Sequence, residues 1–149
     1  VQRSGVNDAG HLVERVTDGW LEDPESTVVW AGYHEGRRGV RMRQSVREMT
    51  TVWFAIGQRT VTIEAYVLPK PPENADEVYR QALARNAGTR RMAFALDRLG
   101  DLVVVGKIPL EALSEVELEL ALGEVYDLVE VSFPGLVRAA FGREKKPPG

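Results

Sequence analysis

Two histidines, His11 and His34, and no cysteine leave this 149-residue chain little with which to hold a metal or attack a substrate. Neither histidine has a neighbour at metal-ligand spacing, so both read as surface residues. A serine nucleophile needs a partner base and commonly a strained elbow. No G-x-S-x-G is present, and Ser45, Ser114 and Ser132 read as a strand end and helix caps. No Walker sequence occurs, and no G-x-G-x-x-G opens a helix after a strand, which leaves those phosphate cradles without a candidate. Seven carboxylates fall between Glu111 and Glu130. Glu117 and Glu124 among them have the chemistry of an acid/base pair, but seven on one helix without a pocket motif read as surface. The residues therefore assign no catalytic group, cofactor or metal. A non-enzymatic protein-binding domain is the expectation; the alternative is a small enzyme or ligand-binding protein with an unrecognised pocket.

The charges are nonetheless sorted along the chain. From Glu35 to Arg59 six arginines (Arg37, Arg38, Arg41, Arg43, Arg47 and Arg59) face Glu35 and Glu48, a balance of +4, whereas residues 111–130 carry no Lys or Arg. Runs of this kind usually serve solubility. The functional reading is that arginines such as Arg41 and Arg43 meet an acidic partner, or the acidic helix of a second copy. A net charge of −3 and a pI near 5.5 argue against generic nucleic-acid binding, which rests on counterion release by a basic surface. With 44% hydrophobic and 28% charged residues the composition is globular, and a chain of this length is one domain that buries roughly two thirds of its unfolded surface. No apolar run is long enough to span a bilayer, and the first residues have neither a basic start nor an apolar signal core. A cytoplasmic address without membrane or nucleic-acid partners is the expectation. The chain opens on Val1 rather than Met, so residues 1–8 carry little weight.

The elements that must position these groups follow from periodicity. Leu12, Val13, Val16 and Trp20 recur at helical spacing over residues 8–21. Residues 22–38 stay open: Thr27-Val28-Val29-Trp30 suits a short strand, while Gly32, Gly36 and Gly39 punctuate it as loop. Val40 and Met42 alternate with Arg41 and Arg43 on a strand, and two further strands, 49–56 and 59–68, flank Gly57-Gln58. That pair suits a two-residue hairpin turn with positive φ at Gly57. The expected register sets Phe54 opposite Val61, Val52 opposite Ile63 and Thr50 opposite Ala65, with Trp53, Thr62, Glu64 and Tyr66 on the other face. Pro69, Pro71 and Pro72 stop the strand, and Asn74 with Glu77 reads as an N-cap and capping box for a helix ending at Gly88. Two strands follow, 92–96 and 102–108. Ser114 to Glu117 is a second capping box, opening a long helix whose apolar stripe is Leu118, Ala121, Leu122, Val125, Leu128 and Val129. Pro134 should kink it or force a restart capped by Ser132. Residues 143–149 form a basic, proline-bearing tail expected to be disordered.

The segment Pro72-Glu73-Asn74-Ala75-Asp76-Glu77-Val78-Tyr79-Arg80, followed by Arg85-Asn86, resembles the YbjN domain family. So do Phe94-Ala95-Leu96-Asp97, Leu99-Gly100-Asp101-Leu102 and Val105-Gly106-Lys107-Ile108-Pro109-Leu110, in that order. The resemblance covers about residues 39–141 and implies a fold like that of type III secretion chaperones, a twisted antiparallel sheet with flanking helices, often dimeric. It also implies a chaperone or adaptor role, without a catalytic residue. The expected architecture is one α+β domain over residues 1–142, with a five-stranded, mainly antiparallel sheet in the order α-β-β-β-α-β-β-α.

Apolar residues on the outward side mark candidate partner contacts. Trp53 and Tyr66 fall on the sheet face opposite Phe54 and Ile63, and aromatics of this kind favour interface centres. On the long helix Val116, Leu120 and Val131 project about 160 to 220 degrees from Leu118, taking about 100 degrees per residue. Homodimerisation through one of these patches is expected, with the sheet face favoured because the helix would bring its seven carboxylates to the seam.

Overall fold

Burial alternates with a period of two along the strands: Val40 and Met42, Val52 and Phe54, Val61, Ile63 and Ala65 are buried, while their neighbours Arg41, Trp53, Thr62 and Glu64 are half-buried or exposed. This pattern builds one antiparallel sheet. The computed structural model describes residues 2–142. In chain order the elements are α1 (Gln2–Glu22), β1 (Val28–His34), β2 (Arg37–Arg43), β3 (Met49–Ile56), β4 (Thr60–Leu68), α2 (Ala75–Asn86), β5 (Met92–Leu96), β6 (Leu102–Pro109), a 3₁₀ turn at Leu110–Ala112 and α3 (Glu115–Phe141). The strands lie in the order β1-β2-β3-β4-β6-β5, every neighbouring pair antiparallel. The expected tail at 143–149 lies outside the described residues.

Six strands replace the expected five because Val28–His34 is a strand. Its hairpin to β2 turns on Glu35 and Gly36, at φ of 51° and 78°, two successive positive values of the type I′ kind that matches strand twist. Asn or Asp usually fills the first of these positions, so a Glu there hid the turn. Gly32 and Gly39, read as loop punctuation, sit paired within the sheet.

The β3–β4 hairpin also differs. Phe54 faces Ile63, Val52 faces Ala65 and Ile56 faces Val61. The loop is Gly57 to Thr60, closed by the Gly57 N–H donating to the Thr60 carbonyl at 2.8 Å, and Gly57 is not among the glycines with positive φ. The register is two residues away from the expected one. A slip of two leaves every side chain on its own face, so alternation could not detect it.

Helices α1 and α3 pack on the sheet's buried face, with α2 against α3 and β5. Ala9, Val13, Val16 and Trp20 are the buried apolar residues of α1 among those described, with Thr17 buried beside them, and Trp20 meets Phe54 with ring centroids 6.2 Å apart. Leu118, Ala121, Val125, Leu128, Leu136 and Ala140 carry α3 into the same core. Helix α3 runs through Pro134 without a restart. Proline removes one hydrogen bond there, and burial of Leu136 and Ala140 beyond it holds the continuation in place. Ser132 is consequently a mid-helix residue and no cap. Ser114 does cap α3, accepting from the Glu117 N–H at 3.1 Å. Asn74 does not cap α2: it takes a left-handed φ of 53° and makes no capping bond. Its amide donates instead to the Ala139 carbonyl at 3.0 Å, joining the start of α2 to the end of α3.

Candidate interaction surface

With the helices on one face, the alternate residues of β1 to β4 form the other. Trp30, Gly32 and His34 on β1 pair with Arg41, Gly39 and Arg37 on β2, and Gly39 pairs in turn with Trp53 on β3, which faces Glu64 on β4. The two glycines let two indoles lie down. A Cβ on Gly39 would stand 2.5 Å from Trp53 Cζ3, and one on Gly32 would stand 2.6 Å from Trp30 Cζ2. The rings meet edge to face at 6.4 Å and 74°, a favourable arrangement for aromatic quadrupoles. Arg37 lies over Trp53 and Arg41 over Trp30, each guanidinium carbon 4.8 Å from the ring centroid. His34 adds a third ring, 6.0 Å from Trp53. The result is a cation-capped aromatic platform, with both indoles half-buried.

Trp53 and Arg41, singled out from the sequence, thus come together here, and Arg43 follows Arg41 two positions along the same strand. Tyr66, 47% exposed, lies on this face two residues beyond Glu64. Its hydroxyl pKa is raised by burial and by the carboxylates of Asp101 and Asp97. Trp30, Arg37 and His34 were missed as contact residues because their segment was read as an undecided loop. Two tryptophans each two residues from, or opposite, a glycine was the available signal.

The arginine run is not one surface. Arg38 turns to the helix side, where it is 7% exposed; its Nε donates to Thr17 Oγ1 at 2.9 Å and its Nη2 to Asp18 at 2.5 Å. Tyr33, beneath Arg38, donates to Glu14, and this bond is the main reason its pKa is raised. Arg47 donates to the carbonyls of Val67 at 2.9 Å and Tyr66 at 2.7 Å and covers the Phe133 ring. Burial lowers its pKa. Both are fastenings of α1 and of the β2–β3 loop, not recognition groups.

The acidic helix divides likewise. Glu117 takes both Nε and Nη2 of Arg91 at 3.0 Å, which holds its pKa low. Glu124 accepts from the backbone of Arg90, Arg91 and Met92. Glu130 binds the hydroxyl and N–H of Ser45 and the amide of Gln44, and the Ser45 hydroxyl is the main cause of its lowered pKa. Three of the seven carboxylates therefore staple α3 to β5 and to the β2–β3 loop. Glu115, Glu119 and Asp127 stay exposed beside Val116 (60% exposed) and Leu120 (45%). Val131 is exposed too, but eleven residues on from Leu120 it borders a different cleft, against α2. The three residues thus share one side of α3, with Val131 three turns beyond Leu120 at the rim of that cleft. Among the described residues no His, Asp and Glu side chains gather in a metal-holding group, and no helix is long and apolar enough to cross a membrane.

The sequence is similar to mycobacterial proteins and to one bacterial family. Uncharacterized proteins of Mycobacterium tuberculosis and Mycobacterium bovis are each 37% identical over 88 residues, 59% of this chain and 48% of theirs. One from Mycobacterium leprae is 36% identical over 95 residues, 64% of this chain and 52% of its own length. The chain spans about half the length of these curated relatives. The YbjN family, described as "Putative bacterial sensory transduction regulator", matches residues 20–137, from the last turn of α1 through most of α3. That span takes in the whole sheet, its open face, α2 and most of α3, and on it the chain belongs to the YbjN family.

Proposed function

We propose that this chain is a non-enzymatic protein-binding domain, a chaperone or adaptor in kind, and that it self-associates through the uncovered face of its sheet. The carrying observation is the platform of Trp30 and Trp53 under Arg37 and Arg41. Aromatic area with stacked guanidinium groups is the composition of protein interface centres. The open face is also mixed in sign: Glu64 lies opposite Trp53 among the arginines, so a two-fold pairing can set each copy's Glu64 toward the other's cations. The α3 patch around Val116 and Leu120 carries exposed Glu115 and Glu119, and symmetric contact there would oppose like charges.

Light scattering of wild type, Trp53→Asp and Leu120→Asp at low and high salt tests this. Wild type should be dimeric at tens of micromolar, Trp53→Asp monomeric and Leu120→Asp unchanged. Aromatic burial predicts weak salt dependence. A strictly monomeric wild type would refute self-association and leave the face to an acidic heterologous partner, for which Arg37, Arg41 and Arg43 have the complementary sign. Loss of the dimer in Leu120→Asp alone would move the seam to α3.

A further inference from the structure

Helices α2 and α3 enclose a cleft of about 460 Å³, lined by residues of these two helices and remote from the indole platform. Arg80 and Arg85 enter it from α2, Arg138 from α3, with Gln81 and Ser132 between them. Arg80 is already neutralised: its Nε and Nη2 hold Glu77 at 3.0 and 2.5 Å. Arg85 and Arg138 have no ion-pair partner among the described residues. Two guanidinium groups without a counter-charge thus line one cleft from separate helices, and an anion seated between them would answer both. Ser132 lies in the wall of the same cleft. It is 4% exposed, and its hydroxyl is buried with no hydrogen-bond partner, which is costly for a polar group. Gly135 allows the close packing, since a Cβ there would meet Gln81 Oε1 at 2.8 Å.

We propose that this cleft binds a small phosphate-bearing ligand. Two unpaired guanidinium groups match the charge of a phosphate dianion, and their planar forks match its oxygens. A monocarboxylate would leave one of the two cations unanswered. The site is independent of the self-association surface, so either can fail without the other.

Calorimetric titration of the full chain with inorganic phosphate and with glycerol phosphate, at fixed ionic strength and with acetate as control, tests it. Saturable one-to-one binding is expected for at least one phosphate, with none for acetate, and the tighter of the two tells free phosphate from a phosphate ester. Arg85→Gln and Arg138→Gln should each weaken binding at least about tenfold, while Arg90→Gln, outside the cleft, should not change it. Arg85 and Arg138 are exposed, and circular dichroism melts confirm that their variants fold; should one fail to fold, the wild-type contrast of phosphate with acetate still decides. No phosphate binding by wild type at millimolar concentration, equal binding of acetate, or wild-type affinity in both arginine variants would overturn the proposal.

Discussion

Removing the Glu124 carboxylate should detach the start of β5 from α3. One oxygen accepts from the N–H groups of Arg91 at 2.9 Å and Met92 at 2.8 Å, the other from Arg90 at 3.0 Å. A hydrogen bond to a charged group contributes about 1.5–3 kcal/mol when sheltered. The amide of Arg90 is exposed and finds water in the variant, whereas those of Arg91 and Met92 are partly buried. Counting two bonds, discounted for their partial exposure, Glu124→Ala should cost about 2–4 kcal/mol. At roughly 2–4 °C per kcal/mol for a chain of this size, the melting temperature falls by roughly 5–15 °C. Glu124→Gln is the finer probe. Its amide oxygen can keep Arg91 and Met92 while its NH₂ group opposes the Arg90 N–H, so the loss should be about 1 kcal/mol. Calorimetry gives the global values, and hydrogen exchange locates them: the amides of Arg91 and Met92 should lose protection in the alanine variant first. A melting temperature within about 1 °C of wild type, with those two amides still protected, would refute the clamp and return Glu124 to the solvated face.

Gly39→Val should expel Trp53 from its place over β2, changing its fluorescence and abolishing self-association while the buried face stays intact; unchanged emission would refute the packing inferred from the 2.5 Å Cβ contact. Arg38→Met should cost about 1–3 kcal/mol, because it takes the donor from the buried Thr17 hydroxyl while leaving only the half-exposed Asp18 unpaired. Asp18→Asn should cost less than about 1 kcal/mol, because Asp18 is half exposed; denaturant titrations showing the reverse order would discount Arg38 as the pin between α1 and β2. Acid should weaken the fold through Glu77, Glu117 and Glu130, whose pKa values are all lowered by hydrogen bonds, from Arg80, Arg91 and Ser45 respectively. Folded values below the unfolded ones give stability that is complete above the ordinary 4.5 and lost as pH falls, for Glu77 down to about 2. Chemical denaturation at stepped pH should show this decline flattened in Glu77→Gln, and an unaltered profile would remove Glu77 from the account.

Periodicity alone settled which face β3 and β4 bury: Val52 and Phe54 against Trp53, Ile63 and Ala65 against Glu64. It also settled the long helix as far as Pro134 and its Ser114 cap, because these depend on neighbours within one element. The family was legible too, in the ordered motifs between Pro72 and Leu110. Pairing between elements was not. A two-residue slip at β3–β4 changes no side chain's face, and only the closed loop from Gly57 to Thr60 chose the register. Strand β1 was hidden because its turn sets Glu35 at positive φ, a choice the surrounding sheet enforces against local preference. The candidate surface was half legible: Trp53, Tyr66, Arg41 and Arg43 share a face by alternation, but Trp30 and Arg37 join them only once β1 pairs with β2. Charge was the least readable property. Arg38 and Arg47 look in sequence like Arg41, and Glu124 and Glu130 look like Glu119; whether such a group faces water or a backbone amide is fixed by what another element brings within 3 Å, and that distance exists only in the folded chain.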